Sequence, residues 1–122
     1  MSSRTSKKFN KIISSWIPYK VWRVEEIPDT PEPFVLYLVG QNQFLWKASM
    51  ICPCGCGELL QMSLMPEGRP QWFAQFHRDG KISLSPSIWR TVGCTSHFFF
   101  LKNKIKWVKA TKRSRRNRFA RN

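Results

Sequence analysis

Apolar and polar positions alternate along most of this chain with the period of a strand rather than that of a helix. "PFVLYLVG", 33–40, is a short run of β-branched, aromatic and aliphatic side chains ending at Gly40. A "QNQ" break and a second run, "FLWKASMIC" over 44–52, predict a hairpin. "ELLQMSLM", 58–65, predicts a further strand that stops at "PEGRP", where two prolines and a glycine interrupt the pattern. "QWFAQFH" (71–77) meets "KISLS" (81–85) across "RDG", with Asp79-Gly80 as the turn signal. In that hairpin Trp72, Ala74 and Phe76 share one face, and Ile82 with Leu84 face them. "HFFFL" and "KIKWV" predict a last pair around Lys102-Asn103. "SPSIWRTVGC", 85–94, predicts one short helical turn opening at Pro86, and "SKKFNKIISSW" a short N-terminal helix. "EEIPDTPEPF" reads as a proline-broken, extended connector. The expected fold is mainly β: a small antiparallel, meander-like sheet or sheets.

At 122 residues the chain is one domain by length, and 42% hydrophobic residues suffice for a core. The longest apolar runs fall far short of the roughly 18 residues that cross a membrane, and the N-terminus lacks the apolar stretch of a secretory signal. A soluble, cytoplasmic protein is therefore expected. The net charge of +14 is unevenly placed. Residues 1–23 carry six basic and no acidic side chains, residues 102–122 ten and none, and the stretch between them five basic and seven acidic. This divides the chain into a basic N-terminal segment (1–23), a nearly neutral β domain (24–108) and a basic, flexible tail (109–122). In the tail, Lys109, Lys112, Arg113, Arg115, Arg116, Arg118 and Arg121 suit contact with nucleic acid or an acidic partner; a merely solubilising tail is the bland alternative.

Three of the four cysteines crowd into "CPCGCGELL", 52–60. The fourth, Cys94, is spaced C-x-x-H from His97, just before a predicted strand. Two ligand-bearing turns, each followed by a strand, form the arrangement of a two-knuckle zinc site, in which a tight turn aims thiolate or imidazole donors at one point. Gly55 and Gly57 let the first turn bend sharply and bring amides towards the sulfurs. Five candidates, Cys52, Cys54, Cys56, Cys94 and His97, compete for four places around one structural Zn2+; Cys94, His97 and two or three of the loop cysteines are the favoured set. Rival chemistries fit worse. A disulfide needs an oxidising compartment, and C-x-C bridges only with strain. Thioredoxin-like C-x-x-C, haem-attaching C-x-x-C-H, the Rieske pattern and the zinc-deaminase signature are all absent. Four protein ligands close the site to water, so no metal-centred catalysis is expected, and Glu58 reads as a solvated side chain rather than a base. His77 reads as a surface histidine, and Ser85 and Ser87 as members of a proline-flanked turn rather than nucleophiles.

With "CPCGCGELL", "PQWFAQFHRDGKISLSPSIW" and "GCTSHFFFLKNKIKW" in view, the chain resembles a bacterial family of small Cys/His proteins, read as zinc-binding. Its members show a C-P-C-G-C-G loop before a strand, a Trp-containing strand, a D-G turn, a P-S-I segment and C-x-x-H-F before a strand ending in Trp. Residues 50–107 match in that order. Members are encoded beside ubiquitin-like modifiers and their activating- and conjugating-type enzymes, which the resemblance makes the expected partners. It implies a non-catalytic, zinc-bearing accessory or adaptor in such a pathway, ligase-like in recognising targets. A nucleic-acid-binding zinc protein using its basic ends is the alternative expectation, and an enzyme the least expected.

Overall fold

The computed structural model describes residues 12–90 and 93–108. One helical turn over 12–16 lies within the helix predicted at 6–16, whose first half falls outside the described residues. Eight strands follow: β1 Lys20–Val24, β2 Val35–Gln41, β3 Phe44–Ile51, β4 Leu59–Ser63, β5 Phe73–Phe76, β6 Ile82–Trp89, β7 His97–Leu101 and β8 Lys104–Trp107. They form two four-stranded sheets in the orders β1-β2-β3-β4 and β5-β6-β7-β8. The mainly β class expected from the alternation is what the chain adopts.

The sheets bury one face of each against the other. Leu36 and Leu38 of β2, Ala48 and Met50 of β3 and Met62 of β4 meet Ile82, Leu84 and Ile88 of β6, Phe98 and Phe100 of β7 and Ile105 of β8. Every second residue is involved, as a pleated strand requires. Fully burying side chains of this size contributes about 1.5–3 kcal/mol each. The run "VLYLV" is continuous rather than alternating because β2 is covered on both sides. Val35, Tyr37 and Val39 point away from the sheet interface and pack with Val24, Ile27 and Trp46.

Two differences from the expected pattern have clear causes. β1 was not predicted, since "KVWRV" is mostly exposed and carries two charges, and it runs parallel to β2 where an antiparallel meander was expected. Parallel neighbours need a crossover. Residues 25–34, with prolines at 28, 31 and 33, supply it and place Ile27 over the outer face of β2. The helical turn expected at Pro86 is absent: β6 runs straight through it. Leu84 pairs with Phe100 and Ile88 with Phe98, so three residues of β6 stand opposite one of β7. Pro86 has no N–H to give a ladder, and a bulge is where a strand tolerates that.

Two turns fix the register. At Gly40 the β2–β3 pairing shifts, and a Cβ there would lie 2.0 Å from the Phe44 carbonyl oxygen, so only glycine fits. Lys102 and Asn103 both have positive φ (47° and 64°), as a two-residue hairpin turn matching strand twist demands. Asn103 also stitches three elements: its amide donates to the Ile82 carbonyl (2.9 Å), its side-chain oxygen accepts from the Ile82 amide (2.8 Å), and its carbonyl accepts from the Tyr19 amide (2.6 Å).

Candidate functional site

The cysteine-rich turn leaves β3 at Cys52 and re-enters the sheet before β4, closed by the Cys52 amide donating to the Glu58 carbonyl (2.8 Å). Gly55 (φ 91°) and Gly57 (φ 86°) take the left-handed conformations that let three cysteine side chains converge. Cys94 arrives from the turn before β7. All four sulfurs lie within 4.8 Å of one another, and the Cys52 sulfur is 3.6 Å from those of Cys54 and Cys94. The sulfur–sulfur edge of a tetrahedral thiolate centre with ~2.3 Å bonds is about 3.8 Å, so the cluster has the size of a four-thiolate metal site. All four are free cysteines, Cys52 and Cys54 buried and the others half-buried. Four such groups can hold one metal ion.

The surroundings treat the four unequally. Burial pushes the Cys52 and Cys56 thiols up. At Cys94 burial acts in the same sense but is outweighed by hydrogen bonds from the Ser96 hydroxyl and amide and from the Cys52 and Cys54 thiols, which bring its pKa down to about 6. Arg90, at the end of β6, donates through Nη1 to the sulfurs of Cys94 (3.4 Å) and Cys56 (3.6 Å), and pairs through Nη2 with Glu58 (3.3 Å). Its amide donates to the Ser96 carbonyl (2.7 Å), tying β6 to the second cysteine turn. Glu58, expected as a solvated side chain, is the exposed partner of Arg90, in an ion pair of little energetic weight.

His97 is elsewhere. It opens β7 with its ring on the face of the sheet turned away from the core, and its Nε2 lies 2.8 Å from Ser87 Oγ on the neighbouring strand. Trp89, directly opposite His97 in the register, stacks on the imidazole with ring centroids 4.9 Å apart and planes inclined by 16°. Phe99, on the same face of β7, is a further ring neighbour at 6.4 Å. Among the described residues no carboxylate hydrogen-bonds the His97 ring. The proline-flanked "turn" serine is therefore a strand residue facing a histidine, half-buried and reachable. A groove of about 300 Å3 is lined from β4 by Leu59 and Gln61 and from the end of β6 by Ile88, Trp89 and Arg90, with Trp72 beside them, and the Trp72 indole N–H donates to the Ser87 carbonyl (3.4 Å).

A second serine–histidine pair lies at the other end of β6. His77 Nε2 is 2.8 Å from Ser83 Oγ, which also accepts the Lys102 amide (2.9 Å). Ser83 is 8% exposed. Lys109, Lys112, Arg113, Arg115, Arg116, Arg118 and Arg121 all lie outside the described residues.

Residues 23–108 match the family described as Bacterial ubiquitination-like system serine protease (BubE). The chain belongs to this family. The BubE match covers more than two-thirds of the chain and takes in both cysteine turns, Ser87 and His97. No curated protein and no solved structure gives a significant match. Membership places the chain in a bacterial ubiquitination-like system, the setting expected from the resemblance. No helix among the described residues is long and apolar enough to cross a membrane.

Ser87 is weighed as a nucleophile from the sequence and set aside as a turn residue, and Arg90 is not singled out there. A signal for the first existed: Ser87 stands in the P-S-I segment and His97 in C-x-x-H-F, both parts of the motif set. Only the register shows that they meet.

Proposed function

We propose that this chain is a serine hydrolase that cleaves acyl bonds of protein substrates in a bacterial ubiquitination-like system, with Ser87 as nucleophile and His97 as general base. One observation carries this reading: a reachable serine hydroxyl 2.8 Å from an imidazole nitrogen, inside the segment matched to a family described as a serine protease. A serine hydroxyl is a weak nucleophile until a neighbouring base takes its proton. With the proton of His97 on Nδ1, Ser87 Oγ–H donates to Nε2. As Oγ attacks the substrate carbonyl, its proton passes to Nε2. The imidazolium then protonates the leaving group, leaving an ester on Ser87. A water molecule, deprotonated by the same nitrogen, attacks that ester, and the proton returns to Oγ as the acid departs.

Cys52, Cys54, Cys56 and Cys94 hold one Zn2+ in this reading, and His97 is left free for the serine. Four thiolates close the coordination sphere, so the ion would supply folding energy and no position for substrate. Arg90 offsets part of the negative charge that four thiolates around a divalent ion leave behind.

Reaction with a fluorophosphonate probe tests the nucleophile. Wild-type protein should become labelled on the peptide containing Ser87, and Ser87→Ala should abolish labelling while Ser85→Ala keeps it. Equal labelling of Ser87→Ala would overturn the reading and restore the non-catalytic adaptor. Metal analysis of the purified protein should find one zinc per chain, lost in Cys52→Ser.

A further inference from the structure

We infer that Trp89 is the positioning residue for His97, doing by ring stacking what a carboxylate does for the histidine of a Ser–His–Asp triad. The inference rests on the Ser87–His97 reading and assigns a role to a side chain outside it. In a triad the carboxylate holds the imidazole in one orientation and stabilises the imidazolium formed when the serine is deprotonated. Among the described residues no carboxylate bonds the His97 ring, so both tasks need another agent.

Trp89 meets both. The register sets it directly across from His97 on the same sheet face, and the rings lie nearly parallel at 4.9 Å. This offset stack restrains rotation about the histidine Cβ–Cγ bond, a torsion with a broad minimum of its own. That keeps Nε2 on Ser87. Phe99, two residues along β7 on the same face, adds a second aromatic neighbour at 6.4 Å. An indole face is also the best aromatic surface for a cation, and the charge that appears on His97 during proton transfer appears against it.

The core does not use this position. Trp89 is 63% exposed and is not part of the packed core, where a large apolar side chain of β6 would otherwise belong. An indole that wide, left on a surface, costs exposed apolar area. The stack on His97 accounts for it.

The test compares fluorophosphonate inactivation of the full-length protein with its Trp89→Leu and Trp89→Phe variants, separating the maximal inactivation rate from the probe concentration giving half of it. Trp89→Leu should lower the maximal rate about tenfold, the size of a partly desolvated cation–π contact, and leave the half-saturating concentration unchanged. Trp89→Phe should recover most of the loss, since a ring remains to stack. An unchanged rate in Trp89→Leu, or equal losses in the two variants, would overturn the role of Trp89. Ser87→Ala separates the two claims: labelling that survives it defeats the nucleophile assignment, whereas labelling lost in Ser87→Ala but untouched in Trp89→Leu defeats only the inference about Trp89.

Discussion

The two serine–histidine pairs have the same 2.8 Å separation and sit on the same strand, β6, yet only one has the makings of a catalytic site. Ser83 is buried, and its oxygen is already engaged by the Lys102 amide as well as by His77, so a substrate carbonyl has no open approach to it. Ser87 is partly open, its hydroxyl has no second hydrogen-bond partner among the described residues, and it faces a histidine stacked on an indole ring. Distance does not make a nucleophile. What distinguishes the pairs is which atoms compete for the hydroxyl and what can reach it. The bulge at Pro86 produces the difference: before it Ser83 lies tied to the β7–β8 turn, and after it Ser87 stands clear, across from a strand that begins at the cysteine turn.

The largest effect expected is that of removing the zinc proposed for the four cysteines. Structural zinc in small domains contributes on the order of 10–16 kcal/mol, as much as the whole net stability of a typical domain. A strong chelator, or Cys94→Ser, should therefore unfold the protein cooperatively at 25 °C, followed by circular dichroism alongside a colorimetric zinc assay. Ser87 labelling should vanish with the fold. A metal-stripped protein with an unchanged denaturation midpoint would make the four cysteines a cluster of buried thiols and separate them from the fate of His97.

Next in size is the contrast between the two histidines. His97→Ala removes the proposed base and should slow Ser87 labelling by about 10²–10⁴-fold. His77→Ala should leave the labelling rate within about twofold. Stopped labelling time courses read by intact-mass spectrometry give both numbers. Similar losses in the two variants would erase the distinction between the pairs.

How much of this was legible beforehand differs between the halves of the site. The cysteine cluster was visible because its ligands come from short local motifs, and glycines at 55 and 57 announce the turn that gathers three of them. Its fourth member needed a second short motif only. His97 was grouped with the cysteines because C-x-x-H reads locally as a knuckle; in the strand, successive side chains alternate, and the pleat turns His97 to the face away from the core. The serine–histidine pair depends on β6 continuing through Pro86 and on a three-against-one bulge, and neither is written in the alternation of a segment containing "SPS". The same limit hid β1, which pairs through its backbone while most of its side chains stay wet.

The smallest effect expected comes from the inner pair and completes the contrast. Ser83→Ala deletes the acceptor of the Lys102 amide and the partner of His77 at one stroke. The Lys102 amide belongs to a turn held at positive φ and has no other acceptor among the described residues. Leaving such a donor half-buried and unpaired costs about 1–3 kcal/mol, so the urea midpoint should fall while the m-value stays constant. Ser87 should label at the wild-type rate, since the β7–β8 turn lies at the far end of the sheet from His97. If instead labelling fell steeply in Ser83→Ala with the urea midpoint unchanged, the assignments would be reversed: the buried hydroxyl would be the reactive one, and the open pair a surface contact.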